Sequence, residues 1–231
     1  MLRELADLVA PVDCVGCGAR RTHLCPRCRA EIAREARRGP HLARVRPPPA
    51  GLPPVWTLLA YDGAVRQAVV AHKDHGRLAL LPLLAALWRR SLAGAVEGDP
   101  VLRAALLDRR VVVVPAPSSA RAWRERGRDP WEEVVRHALA GEPLPVARRA
   151  LRVRRAVRDQ VGLGASARAR NLAGALVATR DLTGCAVVLA DDIVTTGATL
   201  TEGARAVRAA GAASVHAAVI ASTVRRGRPS G

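Results

Sequence analysis

The chain has 231 residues, 49% of them hydrophobic, and carries a formal net charge of +17 with a sequence pI near 11.5. That length and apolar content suit one ordinary domain plus a small appendage and exclude a disordered chain. The charge attracts nucleic acid or polyphosphate, yet aromatic residues make up only 2% and Phe is absent, so the stacking platforms of single-strand binders are missing.

No apolar run approaches the roughly 18 residues that a membrane helix needs. The opening, Met1-Leu2-Arg3-Glu4-Leu5-Ala6-Asp7, mixes acids with apolar residues, unlike a signal-peptide core, and a cytoplasmic protein is expected. In "CVGCGARRTHLCPRC", Cys14, Cys17, Cys25 and Cys28 form two C-x-x-C pairs. Gly16, Gly18 and Pro26 ease the turns, and four thiolates at this spacing can close a tetrahedron around zinc. With no open coordination position, the site is expected to be structural; His23 is then a neighbour of the ligands rather than one of them. Cys185 reads as a small core residue opening a strand.

"EIAREARRGP" reads as a helical stretch, after which "VRPPPAGLPP" crowds five prolines into ten residues. Proline at that density continues neither helix nor sheet, which places a linker at 46–54 between a cysteine module at 1–45 and a main domain at 55–231. The alternative is an irregular strap lying on that domain.

From residue 55, strand-like and helix-like runs alternate. "VWTLLAY" predicts a first strand, residues 78–96 a helix with Pro82 near its start, and "VVVVP" at 111–115 a central parallel strand. "DPWEEVVRHALAG" has the marks of a helix: Asp129 as cap, Pro130 at the first position, acids in the first turn and Gly141 beyond the end. "CAVVLADD", "GATLTEGARAVRAAGA" and "SVHAAVIAST" then give strand, helix, strand. This is a βαβ crossover and predicts an α/β fold with a parallel sheet flanked by helices.

Ligands of such sheets bind at the carboxyl ends of the strands, where Asp191 and Asp192 fall. Two carboxylates there can accept from vicinal hydroxyls. The loop that follows, Thr195, Thr196, Gly197, Ala198 and Thr199, offers N–H groups, hydroxyls and a helix N-terminus to a phosphate. Diol and phosphate together describe a ribose 5-phosphate, while helix capping or metal binding by the two acids are the plainer readings. Lys73 is the only lysine in the chain, a compact point charge among arginines and a candidate polyphosphate contact.

"VVLADDIVTTGAT" resembles the PRPP-binding signature of type I phosphoribosyltransferases. Together with the four-cysteine module, "YDGAVRQAVVAHKDHGR", "VVVVPAPSSARAWRERGRDP" and "RDQVGLGASARARN", it resembles the ComF family of competence-associated phosphoribosyltransferase-like proteins. The resemblance implies a type I phosphoribosyltransferase fold, with Asp191 and Asp192 on the ribose hydroxyls and residues 195–199 on the 5-phosphate. It further implies a pyrophosphate loop with Ser118, Ser119, Arg121, Arg124 and Arg126, to which Lys73 is added, and a mobile basic lid with Gln160, Arg168 and Asn171. Where the family continues Arg-Gly-Phe-Asn-Gln, this chain has Arg126-Gly127-Arg128-Asp129-Pro130.

The function so implied is Mg-PRPP binding and transfer of ribosyl 5-phosphate to an unidentified acceptor, with structural zinc and magnesium carried by the ligand. Two other readings stand beside it. One is a nonenzymatic DNA-uptake component that binds single-stranded DNA and a helicase-like partner; the other is a PRPP sensor.

Overall fold

The computed structural model describes residues 12–117, 127–154 and 172–223. Helix α1 (Pro26–Ala36) follows the cysteine turns, and strand β1 (His41–Leu42) leads into the proline stretch. Next come β2 (Val55–Thr57), β3 (Leu59–Ala60), α2 (Gly63–His75), a 3-10 turn (Leu78–Leu80), α3 (Leu81–Gly98), α4 (Pro100–Leu107) and β4 (Val111–Pro115). Helix α5 (Pro130–Ala138), β5 (Leu151–Val153), β6 (Leu176–Ala178), β7 (Ala186–Val194), α6 (Ala198–Ala209) and β8 (Ser214–Ser222) complete the described chain.

The main sheet runs β1-β2-β8-β7-β4, with β3 also paired to β8. Every pair in it is parallel except β1 with β2. The α/β architecture expected from the sequence is therefore observed, with three differences. "VWTLLAY" makes two short strands rather than one, β1 adds an antiparallel edge, and β5 and β6 form a separate antiparallel pair. Cys185 stands one residue before β7 and is only half-buried, so it does not open that strand.

Side-chain alternation on the central strands divides the core into two layers. Ala186, Val188 and Ala190 of β7 face α2, α3 and α5, whereas Val187 and Leu189 face α6 and the β5–β6 pair. On the first face two indoles fix helices to the sheet. Trp88 Nε1 donates to Ala218 O and Trp131 Nε1 to Ala190 O, each at 2.9 Å, and the two rings meet edge to face at 6.3 Å. Helix α3, with the 3-10 turn before it, is long and apolar enough to cross a membrane. It is seated here as a core helix, with Leu84, Trp88, Leu92 and Ala95 buried against the sheet layer.

Local chemistry sets the helix starts. Asp62, Asp99 and Asp129 each accept first-turn N–H bonds, and a proline stands in the first turn of α4 and α5. Asp129 caps α5 as its sequence predicts. Gly76, in the left-handed region at φ 65°, closes α2, so Lys73 lies in its last helical turn.

The cysteine region shares its core with the sheet domain: Cys14, Leu24, Cys25, Cys28, Ile32 and Ala36 belong to one buried cluster with Leu58, Ala64 and Trp88. A Glu35 carboxylate oxygen accepts from Ala60 N at 2.6 Å. Residues 46–54 lie against α6, where Gly51 O accepts from Arg208 Nη1 at 3.0 Å and Leu52 touches Gly197.

Candidate active site

The connection after β4 leads outward, where Val146 bridges to Val113, while β7 leads the other way through α6 to β8. The connections after the parallel strands β4 and β7 thus run to opposite sides, and the crevice at the two strands' carboxyl ends is where an open parallel sheet receives ligand. Both acids stand there. The strand does not end at them but continues to Val194, held by Asp191 pairing with Val219 and Ile193 with Ala221.

Neighbouring positions on a strand point to opposite faces, so the two carboxylates have different surroundings. Asp192 is buried, and its Oδ2 accepts from Lys73 Nζ at 2.6 Å. Its Oδ1 accepts from Ile193 N, and Asp191 Oδ1 accepts from Asp192 N, both at 2.9 Å. Burial pushes the Asp191 carboxyl up to about 8, and the neighbouring Asp192 charge adds to this while Lys73 opposes it. For Lys73, burial works against the charged form, but attraction from Asp192 and Asp191 outweighs it and raises the ammonium above its ordinary value.

Helix α2 delivers Lys73 by crossing the carboxyl edge. Tyr61, just before it, donates its N–H to Ser222 O at the end of β8, and His72 near its end sits 3.2 Å from Pro130 O at the start of α5. Tyr61 is the only tyrosine in the chain. Burial first and the Asp192 charge second raise its phenol, while Arg66 opposes. Sequence reasoning did not single out Tyr61 or Arg66. Arg66 and Lys73 are seven residues apart, a helical repeat that puts both on the face towards the acids.

The threonine loop lies where expected, between β7 and α6. Thr195 is exposed, Thr196 and Thr199 are half-buried, and Gly197 takes φ 76° as the residue before the helix. No side chain caps α6 at that position. Thr196 Oγ1 accepts from Ala198 N at 3.4 Å, and the other first-turn N–H groups have no intrahelical acceptor. They face the ligand side of the sheet, as an anion cradle requires. Behind the loop Glu202, also missed, is buried and accepts from Leu176 N at 2.9 Å and from Arg205. Burial alone would raise its carboxyl, but the Arg205 and backbone bonds keep it below the usual range. The Glu-x-x-Arg spacing was the available signal.

Residues 134–230 match the family model of the phosphoribosyl transferase domain. No curated protein matches the chain. The phosphoribosyl transferase domain match takes in β5 to β8, both acids and the threonine loop, and leaves Lys73, β4 and the four N-terminal cysteines outside it. Ser118, Ser119, Arg121, Arg124, Arg126, Gln160, Arg168 and Asn171 lie outside the described residues.

Away from the crevice, the sulfur atoms of Cys14, Cys17, Cys25 and Cys28 all lie within 4.8 Å of one another, close enough for one metal ion. Cys25 N donates to Cys14 Sγ at 3.3 Å. Burial opposes ionisation of Cys14, but N–H groups of Cys25, Cys17 and Gly16 outweigh it and bring the thiol down to about 6. His23 is not in the cluster, and its buried Nδ1 has no partner among the described residues.

Proposed function

We propose that this protein binds PRPP with magnesium and transfers the ribosyl 5-phosphate to a nucleophilic acceptor. The observation that carries this is one crevice holding two adjacent carboxylates beside an uncapped helix N-terminus with a threonine loop. The family match over 134–230 supports the same reading. The carboxylates accept from the two ribose hydroxyls, and residues 195–199 enclose the 5-phosphate. In the reaction the bond from ribose C1 to the pyrophosphate oxygen breaks, its electron pair leaves with pyrophosphate, and the acceptor's lone pair forms the new bond to C1. Positive charge on the ribose in between is stabilised by the ionised acids beside it.

Magnesium is carried largely by oxygens of PRPP, since this ion keeps its waters and needs few protein ligands. In the same proposal the four cysteines hold zinc, a closed structural site with no open position for substrate. The arginines and serines of 118–126, with Lys73, belong to the pyrophosphate side, and Gln160, Arg168 and Asn171 to a covering lid.

The test is Mg-PRPP affinity by calorimetry, beside pyrophosphate release with pooled metabolites, for the parent and for Asp191→Asn with Asp192→Asn. Charge-assisted bonds to hydroxyls are about twice as strong as neutral ones, so binding falls. Turnover falls further, because the ribose charge exists only in the transition state. A folded double variant that binds PRPP unchanged refutes the site. A parent that binds PRPP and turns over no acceptor is a sensor.

A further inference from the structure

Helix α4 has the sequence PVLRAALL, and apart from Arg103 every residue in it is apolar. A helix apolar all round ordinarily lies inside a protein. This one buries Leu102 and Ala105 but leaves Pro100, Val101, Ala104 and Leu107 exposed, Leu107 at 80%. Arg103 does not interrupt that outer face, because its guanidinium turns back to the carbonyls of Val96 and Glu97 at the end of α3. Beside the helix runs a groove of about 570 Å³, walled by Leu92, Val96, Leu106, Leu107, Leu139 and Leu144. It reaches Val111, the first residue of β4, so groove and crevice lie at opposite ends of that strand.

Charge says what covers this face. Four charged side chains line the groove, Arg89, Glu97, Arg109 and Glu142, and they cancel. Arg89 Nη2 meets the Glu142 carboxylate at 2.8 Å, while the side chains of Glu97 and Arg109 have no partner among the described residues. Two copies of a chain with net charge +17 repel each other, so their contact is least opposed where local charge sums to zero. Position then supplies the complement. Glu97 stands just before α4 and Arg109 just after it, about 12 Å of helix apart. A two-fold axis across α4 sets two copies of the helix antiparallel, which brings Glu97 of each copy to Arg109 of the other while the outer faces cover one another. An apolar helix with one unpaired acid at its start and one unpaired base at its end is thus its own complement.

We infer that α4, with the groove beside it, is the interface of a two-fold homodimer in which Glu97 and Arg109 pair between copies. The interface lies at the other end of the sheet from the Asp191–Asp192 crevice, and the inference does not depend on what that crevice binds.

The experiment is sedimentation equilibrium of the full chain over a micromolar concentration series, at about 0.15 M salt so that repulsion between copies is screened. The parent sediments as a dimer; a parent that stays monomeric throughout overturns the inference. Leu107→Glu places a carboxylate in the contact once from each copy and weakens the dimer about a hundredfold, about tenfold per copy. Leu78→Glu is the control, since Leu78 is also exposed but lies in the 3-10 turn before α3, and it changes the dimer constant by less than about twofold. Equal losses in both mean unspecific apolar association, and the inference fails. The charged pair is tested by exchange. Glu97→Arg and Arg109→Glu each weaken the dimer about tenfold, and the two together restore it to within about threefold of the parent. The single changes shift net charge in opposite directions and the double leaves it at +17. If Arg109→Glu strengthens association while Glu97→Arg weakens it, overall repulsion governs and the cross-pairing is overturned; a double variant that stays as weak as the singles overturns it too. Thermal unfolding shows that each variant keeps its fold, as the exposure of all four positions requires.

Discussion

Lys73 Nζ donates to Asp192 Oδ2 at 2.6 Å, joining the last turn of α2 to the ligand end of β7 across 119 positions of sequence. The lysine side chain is 40% exposed and the carboxylate only 7%, so the acid depends on the lysine more than the reverse. A polyphosphate that drew Lys73 away would leave a buried carboxylate short of a partner, unless ribose hydroxyls or magnesium took the lysine's place. Under the proposed function, the pair would couple occupation of the crevice to the position of α2.

Removing the lysine tests this coupling. Lys73→Met leaves Asp192 buried without its ammonium, and stability falls by about 2 kcal/mol, discounted for the exposed lysine. Adding Asp192→Asn removes the stranded charge and recovers part of that loss, giving a double-mutant coupling well away from zero. Urea unfolding of the parent, both single variants and the double variant checks it. Additive losses would mean that the pair contributes nothing as a pair.

What the sequence made legible is local. The valine run of β4, the apolar approach of β7, the cap at Asp129 and the spacing of four cysteines are each written within a few residues, where period and turn chemistry act. Contacts fixed by tertiary closure were not legible. The solitary lysine attracted notice, but its partner lies in another element, and no local pattern pairs position 73 with 192. The break of the first strand at Leu58 and the two-residue antiparallel edge are set by what β8 offers as a neighbour. The place of residues 46–54 against α6 is equally non-local, since proline density says only what the stretch cannot be.

Metal content follows from the sulfur cluster. Freshly purified, reduced protein carries about one zinc per chain, because four thiolates this close form one tetrahedral site. Chelation or Cys25→Ser loosens α1. It also lowers the thermal midpoint of the sheet domain, since Cys25 and Cys28 share a core with Leu58 and Ala64. Metal analysis beside a thermal melt decides both points, and a zinc-free protein with an unchanged melt would sink the proposal.

Gly197 ties the proline stretch to the threonine loop. It sits at φ 76°, and an added Cβ would approach Leu52 Cδ1 to 2.9 Å. Gly197→Ala therefore costs about 1–2 kcal/mol in left-handed backbone alone. Leu52→Ala introduced beside it relieves the contact but not the backbone strain, so stability recovers only in part against the Leu52→Ala baseline. Urea midpoints for the three variants separate the contributions, and full recovery would show that the contact alone matters.

Asp191 gives the protein a pH dependence whose sign can be worked out. Its ordinary carboxyl value is 3.8, and in the folded, ligand-free protein burial and Asp192 push it up to about 8. Between these two values the folded state holds a proton that the unfolded state has released, so stability declines as pH rises from about 4 to about 8 and levels off above. Asp191→Asn removes that decline: its stability matches the parent's trend at acid pH and exceeds it in the alkaline range. Ligand reverses the preference, because the carboxylate that accepts from ribose hydroxyls is the ionised one. Mg-PRPP affinity of the parent accordingly strengthens as pH rises towards about 8 and then levels, whereas the asparagine variant binds more weakly with a flatter profile. Urea unfolding across pH, paired with calorimetry across the same range, measures both slopes. Opposite signs for stability and affinity, both abolished by one substitution, assign the titration to Asp191; a variant that keeps either slope assigns it elsewhere.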